Sequence, residues 1–155
     1  MKPQGPNPVQ YEVRMRVPFH DLDPMQIVWH GNYTKYFDIA RQGLFESRGI
    51  DLRDVLDKTG YAFPVIRSSV KHVRPLRYGD VFLCRATLVE VTHKVVIDFE
   101  IRLEADNTLC AKGRGEQAAV KYPEMEPAFV MPEIVLQRLG PTQKQRSPAR
   151  GPGVC

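Results

Sequence analysis

Asp23 stands seven residues before His30 in the stretch His20-Asp21-Leu22-Asp23-Pro24-Met25-Gln26-Ile27-Val28-Trp29-His30-Gly31-Asn32-Tyr33, and a helical pattern begins at Asn32. A free aspartate has a pKa of about 3.9 and is ionised near neutral pH. Asp23 can therefore take a proton from water or attack an acyl carbon itself. The first amides of a helix lack intrahelical partners and sit at the positive end of its dipole. They can receive a developing oxyanion as well as a phosphate. A carboxylate beside such amides is enough to cleave a thioester, whose carbonyl is more electrophilic than an ester's and whose thiolate leaves readily. No serine or cysteine nucleophile is needed. The same spacing also describes an acidic residue that merely caps a helix, and the spacing alone leaves both readings open.

The elements that must position this stretch are legible from periodicity. Gln10 to Val17 alternate, with Tyr11, Val13, Met15 and Val17 on one side and Glu12, Arg14 and Arg16 on the other, which predicts a strand. Pro18 to Gly31 reads as an irregular loop, the usual place for a site. Tyr33, Tyr36, Phe37, Ala40 and Leu44 then recur at i, i+3, i+4 and i+7, predicting a helix over about 32–48. Lys35, Asp38, Arg41, Gln42 and Glu46 make up its polar face, and Gly49 suits a left-handed C-cap. Asp51 can cap a second, short helix with Leu52, Val55 and Leu56 inward, ended by Gly60. Four strand-like runs follow: Tyr61–Val73, Asp80–Thr92, Lys94–Glu104 and Thr108–Tyr122, with a hairpin turn at Ala105-Asp106-Asn107. One strand, one dominant helix, a short helix and four strands predict an α+β fold, an antiparallel sheet against the long helix.

Composition narrows the function classes. The 155 residues suit a single domain, expected over 1–140, and 43% hydrophobic with 26% charged residues is ordinary for a globular chain. The net charge of +4 is a weak argument for nucleic acid, because Lys144, Arg146 and Arg150 supply three of those charges. The proline- and glycine-rich segment 141–155 that holds them is expected to be a disordered basic tail. MKPQGPNPVQ has no apolar signal core and no run of about 18 apolar residues appears, so neither a secretory signal nor a membrane span is expected. Three cysteines argue against a disulfide framework; Cys84 and Cys110 read as small buried hydrophobes, Cys155 as exposed. The expected setting is cytoplasmic. His20, Asp21, Asp23 and His30 are metal-ligating types, but the loop lacks the spaced nitrogen and sulfur ligands of zinc sites, and no metal is expected. Asp21 is expected to cap or orient the loop.

From Val17 to about Tyr122 the sequence resembles the 4-hydroxybenzoyl-CoA thioesterase and YbgC-like branch of the hotdog superfamily. The matching words are Asp21-Leu22-Asp23-Pro24, Val28-Trp29-His30-Gly31-Asn32-Tyr33, the helix to Arg41, and Arg74-Pro75-Leu76-Arg77-Tyr78-Gly79-Asp80. The resemblance implies a sheet wrapped around the long helix, and an acyl-CoA or acyl-carrier-protein thioester as substrate. It implies Asp23 as the catalytic carboxylate and the amide at His30 as the group that polarises the carbonyl. It places His93 and Lys94, in the turn Thr92-His93-Lys94-Val95, near the CoA phosphates. Trp29, Gly31 and Tyr33 are candidates for substrate binding, Trp29 reading equally as plain packing and Tyr33 as a core residue of the helix, and Arg74 and Arg77 read equally as phosphate ligands or solvated charges. Val95 departs from the serine that many relatives carry there. Coenzyme A enters as part of the substrate, and no separate cofactor is implied. Two chains are implied to pair edge to edge, as a homodimer that assembles to a homotetramer, with the site at the interface.

Two other classes stay in view. A hotdog dehydratase or hydratase would carry a histidine–carboxylate pair in a differently worded loop, and the proline-glycine-rich dehydratase word is absent. A non-catalytic acyl-thioester binding module would keep the pocket but need no carboxylate at position 23. Neither the acyl group nor the choice between direct attack by Asp23 and activation of water follows from the sequence.

Overall fold

The computed structural model describes residues 8–140 and, beyond them, two short paired strands at Arg150–Gly151 and Gly153–Val154. The expected disordered tail over 141–155, Cys155 included, otherwise lies outside the described residues. Strand β1 (Gln10–Arg16) leads through a single turn of 3₁₀ helix (Phe19–Asp21) to helices α1 (Asn32–Ser47) and α2 (Leu52–Thr59). Then come β2 (Tyr61–Ala62), β3 (Val65–His72), β4 (Val81–Glu90), β5 (Val95–Leu103) and β6 (Leu109–Gln117). Short strands β7 (Val120–Lys121) and β8 (Glu126–Pro127) and helix α3 (Glu133–Leu139) close the described core. The main sheet is antiparallel in the order β1-β4-β5-β6-β3, and β2, β7 and β8 form a small second sheet. Helix α3, built around Val135 and Leu139, answers to no element expected from the sequence.

Local signals set the helix ends. Asp51 accepts from the amides of Arg53 and Asp54 at 2.9 and 3.4 Å and so caps α2. Gly49 and Gly60 take the left-handed conformation, with φ of 74° and 80°, just past the ends of α1 and α2.

Helix α1 lies along one face of the sheet because its stripe is apolar and the sheet is hollowed to receive it. Tyr33, Tyr36, Phe37, Ala40 and Leu44 are all buried. Phe37 stacks on Phe99 of β5 with centroids 4.5 Å apart and planes 8° apart, and Tyr36 meets Phe82 of β4 at 4.9 Å. Gly113 of β6 leaves room for this packing. A Cβ there would overlap the Ser69 carbonyl and lie 2.6 Å from the Phe37 ring. Arg41 departs from the expected polar face. Its side chain is 12% exposed and its guanidinium lies 5.7 Å from the Phe99 centroid, because a long aliphatic stem can run along apolar surface.

The loop that carries Asp23 is anchored by Asp21. This carboxylate is buried, accepting 2.7 Å from Lys35 Nζ and 2.6 Å from the Tyr36 hydroxyl, both on α1. Its carbonyl accepts from the Trp29 amide at 3.0 Å and from Asn32 Nδ2 at 2.9 Å. Burial by itself pushes the Asp21 carboxyl up, but the hydrogen bonds from Lys35 and Tyr36 and the Lys35 charge outweigh it and hold it below the usual carboxylate range.

Two outcomes follow from this packing. Gly113→Ala should lower stability by roughly 3 kcal/mol, read from the urea midpoint at unchanged m, since neither the Ser69 backbone nor the stacked Phe37 can move aside freely. Asp21→Asn should cost about 2 kcal/mol at neutral pH. A lowered carboxylate pKa contributes stability above its unfolded value and loses it as pH falls through the folded one. The gap between wild type and Asp21→Asn should therefore narrow progressively below about pH 4; a gap of the same size at pH 3 and pH 7 would contradict this account of the anchor.

Candidate active site

The stretch expected to be irregular is a tight hairpin. Leu22 bridges Val28, the Asp23 amide donates to the Ile27 carbonyl at 2.8 Å, and the Gln26 amide donates to the Asp23 carbonyl at 2.9 Å. Pro24, Met25 and Gln26 make a three-residue turn whose last member is left-handed, with φ 66° at Gln26. A glutamine is a costly choice for that conformation, and no turn signal in the sequence marked it. Ile27 bridges Arg77, and the Val28 amide donates to the Leu76 carbonyl at 2.9 Å, so the hairpin is fastened to the β3–β4 connection.

Asp23 is half-buried in this turn. Its Oδ1 accepts from the amides of Met25 at 2.8 Å and Ile27 at 3.4 Å, which fixes the carboxylate plane. Its Oδ2 accepts from no described residue. The amides of His30 and Gly31, immediately before α1, likewise donate to no described residue. They are the unpartnered donors that a helix start leaves.

Asp23 and His30 meet at one cavity of about 270 Å³. Asp23, His30 and Tyr33 line it together with His72, Arg74 and Val28. Four of the residues singled out from the sequence, Asp23, His30, Tyr33 and Arg74, are thus brought together. Tyr33 is buried, its hydroxyl accepts from the Leu76 amide at 3.2 Å, and burial pushes its pKa up, which leaves it a proton donor rather than an anion. Its ring meets the His72 ring edge-on at 4.8 Å. His72 carries no sequence signal of a site, because its nearness to Tyr33 depends on how β3 lies over α1.

Neither Trp29 nor Gly31 lines this cavity. The Trp29 ring is half-exposed, 5.1 Å from the His30 ring, and lies over Gly31, where any Cβ would overlap it. His93 and Lys94 lie elsewhere. They sit in the β4–β5 turn, whereas the Asp23 loop is fastened near the other end of β4, through Arg77 and Asp80. Ten residues of strand separate the two ends by roughly 30 Å. His93 Nδ1 is 3.2 Å from the Phe129 carbonyl, and Lys94 pairs with Glu116 at 2.7 Å. Of the two arginines weighed for phosphate binding, Arg74 lines the cavity and Arg77 does not.

Asp21 has the orienting role expected of it. Cys84 and Cys110 are buried free thiols, and burial pushes Cys84 up to about 12, far from a reactive thiolate. Among the described residues no group of three or more His, Cys, Asp or Glu side chains is placed to hold a metal ion, and no helix is long and apolar enough to cross a membrane.

Comparison with known proteins bears on the family and the fold. A protein of Synechocystis named as an esterase is 28% identical over 106 residues, covering 68% of this chain and 59% of that protein. The acyl-CoA thioesterase YbgC of Haemophilus influenzae is 22% identical over 120 residues, covering 77% of this chain and 88% of that one. A solved structure of a mutant 4-hydroxybenzoyl-CoA thioesterase complexed with 4-hydroxybenzoyl-CoA superposes with a TM-score of 0.77 at 19% identity, covering 85% of this chain and 99% of that one. That likeness shows the hotdog fold, the helix-in-sheet arrangement described above. The Thioesterase superfamily description matches residues 25–111, more than half of the chain, from the turn after Asp23 through α1 into β6. On that match, this chain belongs to the thioesterase superfamily.

Proposed function

We propose that the chain hydrolyses acyl-CoA thioesters, with Asp23 as the reacting carboxylate and the His30 main-chain amide as the oxyanion donor. The observation that carries this reading is an unengaged Asp23 Oδ2 and an unengaged His30 amide on residues that line one cavity. The relative named as an acyl-CoA thioesterase supports CoA as the thiol.

In the water-activating form of the reaction, Asp23 Oδ2 takes a proton from water and the water oxygen bonds to the thioester carbon. The carbonyl oxygen becomes an oxyanion and is held by the His30 N–H. The C–S bond then breaks, the carbonyl re-forms, and the departing thiolate regains the proton from Asp23. In the alternative form, Oδ2 attacks the carbon directly, the C–S bond breaks and the thiolate leaves, and water cleaves the resulting mixed anhydride to return the Asp23 carboxylate and the free acid. Neither form needs a metal or another cofactor; coenzyme A enters and leaves as part of substrate and product. The buried free thiols Cys84 and Cys110 fit a reducing, cytoplasmic setting.

The site is completed by a second copy. Strand β3 is a sheet edge, paired only with β6, and nearly every residue along it is exposed, including Val65 and Ile66. An unpaired edge of this kind is a template for another strand. Antiparallel self-pairing through β3 sets the Val65 end of one chain beside the His72 end of the other, and so encloses the Asp23 cavity. It also carries the partner's β4–β5 turn, with its His93 and Lys94, toward this chain's site.

Thiol release from a panel of acyl-CoAs tests the reading. Asp23→Asn keeps an oxygen for the Met25 and Ile27 amides but loses the charge, so kcat should fall by about 10²–10⁴-fold while CoA still binds. Full activity in that variant would exclude Asp23, and no thiol release by the wild type would favour a binding module. In single-turnover hydrolysis in ¹⁸O-water, label in Asp23 would establish the anhydride form, opened at the aspartyl carbon, because water activation puts label in the product acid alone. Light scattering should return the mass of a dimer or tetramer; a monomer with full activity would contradict the shared site.

A further inference from the structure

The face of the main sheet turned away from α1 carries a charge pattern that breaks at one edge. Side chains alternate along a strand, and Phe99 of β5 packs on the helix, so its neighbours Asp98 and Glu100 point outward. Register extends that outward face to both edges. Glu12 of β1, Arg85 of β4, Glu100 of β5, Lys112 of β6 and Lys71 of β3 stand side by side in one row. Their signs run minus, plus, minus, plus, and then plus again. Elsewhere on this face opposite charges meet: Arg14, Arg85, Arg102 and Arg114 each hold a carboxylate at 2.6–3.2 Å. Lys71 and Lys112 are exposed, stand directly opposite each other, and pair with no carboxylate among the described residues. Like charges so placed cost stability, and the fold alone gives no return for them. A groove of about 370 Å³ runs between them over Ser69; Asp98 and Glu100, which border it, are already held by Arg114 and Arg102. Arg67, also outward on β3, faces Glu116, which Lys94 holds at 2.7 Å.

Self-pairing of β3 lengthens the row. Centred on Ser69, it sets the partner copy's Arg67 beside Lys71, so Lys112, Lys71 and that arginine make three cations in succession. They lie on adjacent strands about 4.8 Å apart, a run of about 10 Å. The two-fold repeats the run on the other side of Ser69. We propose that each run binds a short linear phosphate chain, inorganic or the tail of a nucleoside triphosphate, which fastens the two copies together on the face opposite α1. A single phosphate does not span the run. Like-facing carboxylates of an extended peptide come roughly 6.6 Å apart, too sparse to match it. Between Arg67 and Lys71 the outward residue of β3 is Ser69, a hydroxyl donor with no ring to hold a base. An anion that binds the pair and not the separated chains strengthens the pair by mass action. The inference rests on β3 self-pairing and is independent of the thioesterase reading.

Calorimetric titration of the full chain with tripolyphosphate, at constant ionic strength, tests it. One anion per chain should bind, ATP should bind as tightly, and saturating CoA should displace neither. Orthophosphate should bind about tenfold or more weakly, the worth of one charge-assisted hydrogen bond. The double variant Lys71→Gln with Lys112→Gln, and separately Arg67→Gln, should each lose about the same factor. Co-expressing the two variants should restore tight binding, because a mixed dimer rebuilds one run from the lysines of one chain and the arginine of the other. Unchanged affinity in the variants, binding of ATP without tripolyphosphate, or displacement by CoA overturns the proposal. Mixed dimers that bind no better than either variant overturn the shared run. A chain that light scattering shows to be a monomer overturns it together with β3 self-pairing, whereas thiol release from acyl-CoAs bears on neither.

Discussion

The buried carboxylate of Asp21 holds the active region together. A charge taken out of water is costly unless it is paired and hydrogen-bonded, and Asp21 answers that cost with Lys35 and Tyr36, one turn into α1. Its carbonyl meanwhile receives the Trp29 amide and the Asn32 side chain at the mouth of the same helix. Loop and helix start thus become one rigid unit. The distance from Asp23 to the amide of His30 is set by that unit rather than by either segment alone. The two aspartates of Asp21-Leu22-Asp23-Pro24 divide the labour: the first is spent entirely on structure, and the second keeps an oxygen free.

That unit works only because the helix beneath it is seated. The stacked Phe37 and Phe99 rings and the void left by Gly113 let α1 settle on the sheet. The same seating brings Tyr33 under His72 and buries the stem of Arg41. Packing in the core and chemistry at the surface are therefore not separable along α1. One stripe of side chains supplies both the core contact, through Tyr36 and Phe37, and a wall of the Asp23 cavity, through Tyr33.

Much of this was legible before any coordinates. Gly49, Gly60 and Asp51 punctuate the helices, and Asn107, with φ 64°, closes the β5–β6 hairpin, because caps and turns are chosen by short-range sterics and hydrogen bonds. Asp23 and His30 are close in sequence, so their meeting needed only a turn. His72 was invisible for the opposite reason: it acquires its neighbours from elements tens of residues away, and a lone polar residue in a strand looks like a solvated one. Arg41 was misread as solvent-facing because periodicity ranks residues by polarity and does not see the length of an aliphatic stem.

The amino-acid sequence by itself determined the order of elements, the apolar face of each, and the residue types gathered around the helix start. Those properties depend on backbone preference and on periodicity, which act over a few residues. Tertiary structure alone decided which oxygen of Asp23 stays free, which strand is left as an open edge, and that His93 and Lys94 lie at the far end of the sheet from the Asp23 of their own chain. These depend on register and on packing between distant segments, where a shift of one residue turns every side chain of a strand to the other face.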